Sequence, residues 1–513
     1  MGSPPRIGIV DMGSNAVRMQ IAEVVGGATA ILESHRLPLR LGREVFETGQ
    51  VPEPLISAVV DAFRRFRATC DRLNVQSVRA IATSALREAR NRDMLIDRVR
   101  AATAIEIDAI SGTQEAWLLA RAVQTRIDLR KGRSVLVDVG GGSVEVVVVD
   151  DGQVVEADSY RLGALRLLSM LPTADASGES FVDLLQRHLR GLERRIGDHF
   201  AAGRIDRYIA VGGNIESLCE LVGDACKRAA DGISSCPLSA ARRELHALAE
   251  LSYDDRIRTR GLKPDRADTI VPASVVYVRI GEIAGCTEVL VPRVGIKDGL
   301  LAEIAAGHHD AFAPEEHVDT VLTACRALGR RYHYEVEHAE NVRSLAVQLF
   351  DQTRALHGLD SRARVLLEAA ALLHDIGVAV NNDGHHKHSQ YLIAASDIVG
   401  LAEDERQLVG LLARYHRRAA PSREQDEFAR LRRRERTMVE RLAAILRLAD
   451  ALDRQHASLV QQVAVRLADG RIELQPTLAP GQSSRLTLER QAVAQKGALF
   501  AQLFGQEVVL SLP

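Results

Sequence analysis

The chain has 513 residues, of which 46% are hydrophobic and 26% charged, and its net charge is -2. Such a composition is ordinary for folded protein and supplies core material for roughly three or four domains at about 150 residues each. So balanced a charge excludes a chain that meets nucleic acid or a membrane through its overall field, and a polyanion would need a local basic surface.

The stretch Met1–Arg6 lacks the layout of a signal peptide. The most apolar helical run, Val365–Leu373, contains Glu368 and is too short to cross a bilayer. A cytoplasmic protein with no membrane or nucleic-acid partner is the expectation. Cysteines stand at 70, 219, 226, 236, 286 and 325 without a C-x-x-C pair, so they read as buried thiols and not as a zinc ribbon or redox motif.

In chain order, Arg6–Val10 and Ala16–Val24 read as two strands joined by Asp11-Met12-Gly13-Ser14-Asn15. Ser134–Val139 and Val144–Asp150 repeat the plan around Gly140-Gly141-Gly142-Ser143. Each copy ends a strand on an Asp and then turns on small residues; two copies about 130 residues apart predict a duplicated α/β module. A third turn, Gly212-Gly213-Asn214, follows the apolar stretch Tyr208–Val211. Glycine turns let backbone N–H groups converge on an anion, and a terminal Asp can hold a divalent cation against the same oxygens.

From about Asp310 helical periodicity takes over until about Leu459, after a plausible linker with Gly307, His308, His309 and Pro314. Val463–Leu467 and Arg471–Leu474 then read as a hairpin around Asp469-Gly470.

Several segments together resemble one family. They are the two Asp-x-Gly turns, Ala82-Thr83-Ser84-Ala85-Leu86-Arg87, Ser111-Gly112-Thr113-Gln114-Glu115-Ala116, Gly212-Gly213-Asn214, Gly261–Asp268 and Gly295-Ile296-Lys297-Asp298-Gly299-Leu300. In this order, over roughly the first 300 residues, they look like the exopolyphosphatase and guanosine pentaphosphate phosphatase family of the actin and sugar-kinase superfamily. The resemblance implies two actin-like (ribonuclease-H-like) α/β domains over 1–126 and 127–307. An all-α HD-like domain over 308–459 and a small β-rich α+β domain over 460–513 complete the expected architecture.

The resemblance also implies roles. Glu115 would be the catalytic base, although the fourth residue of a helix can equally be a carboxylate that complements the dipole. Asp11, Asp138 and Glu145 would hold Mg2+ or Mn2+. Ser14 and Asn15 would bind one phosphate, and Gly140, Gly141, Gly142 and Ser143 another. Gly212, Gly213 and Asn214 would meet a further phosphate or nucleotide. Arg87 and Arg266 would stand near phosphate, with Arg18 and Arg40 as weaker candidates. The implied activity is release of terminal orthophosphate from inorganic polyphosphate. Hydrolysis of guanosine pentaphosphate (pppGpp) is the alternative, and a non-hydrolytic sensor or an HD-domain phosphohydrolase ranks lower. A homodimer is implied as well.

In the helical region His338, His374, Asp375 and Asp450 stand in HD order, with His416 as a further contributor. They form either a second divalent-metal site or a metal-free hydrogen-bonded network. The arginine run 430–436 reads as a solvated helix face or as a track for polyanion.

Overall fold

The computed structural model describes residues 4–26, 28–170, 181–200, 203–307, 318–468, 470–479 and 486–511. The chain divides into two compact units, Met1–Ala311 and Phe312–Pro513.

The first unit holds two sheets of one plan. β1 (Arg6–Met12), β2 (Val17–Val25), β3 (Ala28–Leu37), β4 (Ser77–Ala82) and β5 (Ile107–Ala109) lie in the order β3-β2-β1-β4-β5. The hairpin strands are antiparallel, while β1, β4 and β5 run parallel. The second sheet has β6 (Arg133–Val139), β7 (Val144–Asp150), β8 (Gln153–Tyr160), β9 (Arg207–Val211), β10 (Lys227–Arg228), β11 (Ser234–Pro237) and β12 (Glu288–Val291). Its order, β10-β11-β12-β9-β6-β7-β8, contains β8-β7-β6-β9-β12, which retraces the first sheet. The expected duplication is therefore present in the topology, with β10 and β11 added antiparallel at the edge. Nearly every residue of β1 and β7 is buried, as in sheets covered on both faces, which explains their unbroken Val and Ile runs.

Helix Ile270–Ile283 is buried almost all round and packs against helices Phe181–Phe200 and Leu238–Ala249. Helix Ile296–Ala305 comes after the second sheet in sequence but returns to pack on helix Gly112–Gln124, β1 and β3. Gly299 makes that approach feasible: a Cβ there would lie 2.1 Å from the Leu118 carbonyl oxygen.

In the second unit, helices Val318–Arg331, Val336–Gln352, Ser361–Leu373, His385–Ala395, Glu403–Tyr415 and Arg433–Leu452 precede a small sheet. That sheet orders β13 (Val460–Ala468), β14 (Arg471–Leu478) and β15 (Glu507–Leu510) as β13-β14-β15. The expected hairpin forms, with Gly470 at a positive φ of 75° in its turn; Asp469 lies outside the described residues, as do His308, His309 and Pro314. β14 and β15 are parallel, and helices Thr487–Lys496 and Ala498–Phe504 supply the crossover such a pair requires. The outer edge of β13 is closed by side chains: Gln348 accepts from Val463 N at 2.9 Å, and Gln352 accepts from Val465 N at 2.8 Å.

Gly299→Val should force the two helices apart against backbone and cost about 1–3 kcal/mol. A urea midpoint lowered accordingly would show it; an unchanged midpoint would contradict the close approach.

Candidate functional site

The two Asp-bearing turns close identically. Gly13 N–H donates to Ala16 O at 3.1 Å, and Gly140 N–H donates to Ser143 O at 3.0 Å. In register, Asp11 pairs across its hairpin with Arg18 and Asp138 pairs with Glu145. The turns meet, since a Cβ on Gly141 would stand 2.9 Å from Ser14 Cβ. Between the sheets lies a cleft of about 760 Å³ whose walls include Asp11, Ser14, Asn15, Glu115, Asp138, Gly140, Gly141, Ser143 and Glu145.

The third turn lines the same cleft with Gly212, Gly213 and Asn214, at the start of helix Gly213–Val222. Gly212 has φ 102°, and a Cβ on it would meet Asp138 Oδ1 at 2.7 Å. Arg266 occupies the space a Cβ on Gly213 would need, and its Nη1 donates to Asn214 Oδ1 at 3.3 Å. Buried Tyr277 ties two turns together: its hydroxyl donates to Val211 O and accepts from Val139 N at 3.0 Å.

Glu115 is buried in the first turn of helix Gly112–Gln124, which a Ser111–Gln114 capping box starts. Arg87 Nη1 donates to Glu115 Oε1 at 2.5 Å and to Ile110 O at 2.6 Å. Gly112 leaves room for Ser159, whose hydroxyl would sit 2.7 Å from a Cβ there and which donates to Glu145 Oε1 at 2.9 Å.

Electrostatically the cleft floor is frustrated. Burial pushes Glu115 well above the carboxylate range, Glu145 pushes it further, and Arg87 opposes both. Burial and then Glu145 push Asp138 up to about 8. Burial also raises Glu145, against hydrogen bonds from Ser143 and Ser159. It raises Asp11 too, against Arg18, whose Nη1 is 3.3 Å from Asp11 Oδ2. Asp11 Oδ1 is buried and has no hydrogen-bond partner among the described residues. An orphaned oxygen amid carboxylates that resist ionisation is the donor set a divalent cation satisfies. Among the described residues, no three candidate ligand atoms that include Asp11, Asp138 or Glu145 lie within 4.8 Å of one another. One or two carboxylates with waters and substrate oxygens is the way magnesium is commonly held.

The second unit gathers a different set. His338 Nε2 is 3.3 Å from His374 Nε2 and 3.8 Å from Asp450 Oδ1. Asp375 Oδ1 is 3.1 Å from His385 Nε2 and 3.5 Å from His416 Nε2. His374 and His416 donate their Nδ1 protons to Ala371 O and Ala413 O at 2.7 and 2.6 Å, which leaves the Nε2 lone pairs facing the cluster. His338 Nδ1 is held by Asp453 Oδ2 at 2.9 Å. Burial holds His416 neutral, down to about 3, and lowers His374. Lys496 pairs with Asp450 Oδ2.

Comparison with known proteins converges. Residues 20–308 match the model of the Ppx/GppA phosphatase family, and residues 322–495 match Ppx/GppA phosphatase, domain III. The chain belongs to the Ppx/GppA phosphatase family. Guanosine-5'-triphosphate,3'-diphosphate pyrophosphatases are among the relatives. That of Aeromonas hydrophila is 23% identical over 80% of this chain and 81% of its own. That of Vibrio atlanticus is 22% identical over 92% of each. An exopolyphosphatase structure from Cytophaga hutchinsonii superposes with a TM-score of 0.55 at 24% identity, covering 59% of this chain and 98% of its own. The Aquifex aeolicus Ppx/GppA family member gives 0.52 at 23% identity over 60% and 99%. These likenesses show the actin-like fold of the first unit.

Within this Ppx/GppA chain, Arg87 and Gly142 stand apart from the other expected cleft residues. Neither lines the cleft. Arg87 is turned to Glu115, and Gly142 lies behind the turn, where a Cβ would meet Phe46 and Ser84. Arg40 pairs with Asp268, whereas Arg18 does line the cleft. Lys297, Asp298 and Thr83 line it too, from motifs noted in the sequence but given no role there. Tyr277 and Ser159 carried no signal beyond residue type, whereas the run His385-His386-Lys387-His388 reads as a source of a further ligand or a phosphate contact, and His385 joins Asp375 and His416. No helix among the described residues is long and apolar enough to cross a membrane.

The raised carboxylates predict a pH signature. Their folded pKa values exceed the unfolded ones of about 3.9–4.3, so the stabilisation is complete below that range and lost as pH rises through the folded values. With chelator present, the urea midpoint should fall from about pH 5 to about pH 8, where Asp138 titrates. Magnesium should restore it, most at the alkaline end, and Asp138→Asn should flatten the profile; a midpoint rising with pH would contradict the arrangement.

Proposed function

We infer that the chain is a divalent-metal-dependent exopolyphosphatase that hydrolyses the terminal phosphoanhydride of inorganic polyphosphate. The observation that carries this reading is Glu115 on the wall of the cleft into which both Asp-bearing turns open. Water adds to the terminal phosphorus, Glu115 takes its proton, the bridging P–O bond breaks, and orthophosphate is released. Asp11, Asp138 and Glu145 are suited to hold Mg2+, or Mn2+ in its place. When bound, that ion neutralises charge on the phosphate oxygens. Backbone N–H groups of the turns, with Ser14, Asn15 and Ser143, grip the terminal phosphates, and Arg266 with Gly212, Gly213 and Asn214 serves the phosphates that follow. Arg87 acts through Glu115: its positive charge keeps the base ionisable despite burial.

Polyphosphate is favoured over a guanosine substrate by the lining itself. The cleft carries Arg18, Arg36, Arg260, Lys263, Arg266, Arg293 and Lys297, and among the described residues no aromatic side chain lines it for a base to stack on. Hydrolysis of guanosine pentaphosphate remains the second reading, favoured by the activity named for the relatives.

We also read the His338, His374, Asp375, His416 and Asp450 cluster, in an HD-like domain, as a separate site for a divalent transition metal. Support comes from the Nε2 lone pairs aimed at one another at 3.3 Å, a contact two neutral acceptors make only when a proton or cation lies between them.

Phosphate release from long polyphosphate and from guanosine pentaphosphate, each with and without magnesium, tests the assignment. Glu115→Gln should remain folded and lose about 100-fold or more in kcat on polyphosphate. Asp375→Ala should keep most of that activity while losing tightly held metal. Full activity in the first variant would sink the reading. Arg87→Met should move the acid limb of the kcat profile to higher pH, because Arg87 is what lowers the Glu115 pKa. An unmoved limb would leave Arg87 a purely structural residue.

A further inference from the structure

The fold assembles three cysteines that stand on neighbouring elements of the chain. Cys219 sits in the last turns of helix Gly213–Val222, Cys226 follows the short turn Gly223–Ala225, and Cys236 lies on β11. Their sulfurs all lie within 4.8 Å of one another. Cys219 and Cys236 are buried, while Cys226 is only half-buried and leaves a way in from solvent.

We propose that Cys219, Cys226 and Cys236 form a trithiolate site for a soft divalent cation of the zinc class, with the fourth coordination position taken by water or a small exogenous ligand. Sulfurs bound to tetrahedral zinc at about 2.3 Å stand about 3.8 Å apart, so closing the site needs a contraction of about 1 Å or less. Side-chain rotation at three separately anchored positions can supply that.

The charge balance fits as well. Three thiolates around a divalent cation leave one net negative charge. The Nε of Arg293 is buried without a hydrogen-bond partner among the described residues. Arg293 Nη2 also pairs with Glu220 Oε1 at 2.9 Å, one residue beyond Cys219. Packing alone would bury all three thiols as small apolar groups, whereas Cys226, at the edge of the trio, is only half-buried.

Placement gives the site a consequence. Helix Gly213–Val222 begins at the cleft with Gly213 and Asn214, and Cys219 follows Gly213 by about 9 Å along the helix axis. A cation bound to Cys219 and Cys236 would pin that helix to β11 and fix the turn at its other end.

The test uses the full chain, stripped of metal under reducing conditions and titrated with Co2+ as a spectroscopic stand-in for zinc. A sulfur-to-cobalt charge-transfer band should appear, be displaced by zinc, and saturate at one equivalent in His374→Ala, which breaks the competing histidine cluster. Cys236→Ser should abolish it, and Cys226→His, a conservative change at the half-exposed position, should keep cobalt binding with a weaker band. Zinc should also protect these three cysteines from alkylation in the unaltered protein, a readout that needs no variant. Absence of the band, its survival in Cys236→Ser, or a disulfide joining two of the three in freshly purified protein would overturn the proposal.

Discussion

Four carboxylates held at the floor of a cleft impose the constraint on which the first unit is organised. Asp11, Glu115, Asp138 and Glu145 come from two strand ends, one helix start and the first residues of a returning strand. Burial raises the pKa of all four, and Glu145 adds repulsion on both Glu115 and Asp138. Only two guanidiniums, Arg18 and Arg87, make direct ion pairs with them among the described residues. A concentration of like charge does not stabilise a fold; it persists because rigid strands on either side determine where those side chains must be.

Duplication supplies that rigidity, and divergence between the copies supplies the chemistry. Arg18 and Glu145 occupy equivalent places, each directly across its hairpin from the strand-ending Asp. In the first copy the pair is therefore opposite in sign and in contact; in the second it is two acids. One fold element used twice thus yields one hairpin whose acid is paired with a guanidinium and one in which two acids face each other.

Much of this was legible in the sequence because it depends on local rules. A strand-ending Asp followed by a glycine turn writes its geometry into adjacent residues, and the same turn closure, Gly13 to Ala16 and Gly140 to Ser143, follows from the same spacing. The inward position of His338, His374 and Asp450 was readable because each falls on an apolar helical stripe, and all three are buried. Long-range placement was not readable. Arg87 lies in a phosphate-family motif, yet what it meets depends on how helix Gly112–Gln124 packs, and that brings Glu115 to it. Tyr277, in a helix that reads only as core, fastens two turns whose strands are remote from it in sequence. Cysteines seven and ten positions apart match no local metal motif; β11, a strand added outside the duplicated plan, brings the third to the other two.

The donor chemistry of the two units differs enough to separate their functions. Carboxylate oxygens in the first unit suit a hard cation that keeps its waters and exchanges quickly. Imidazole Nε2 atoms in the second, each fixed by a backbone carbonyl or Asp453 on the far ring nitrogen, suit a softer metal held for long periods. One ion cannot be optimal for both sets of donors. Lys496, paired with Asp450, adds a competing positive charge at the imidazole cluster. Lys496 ends helix Thr487–Lys496, which packs on β15, so the imidazole cluster and the small C-terminal sheet share that helix.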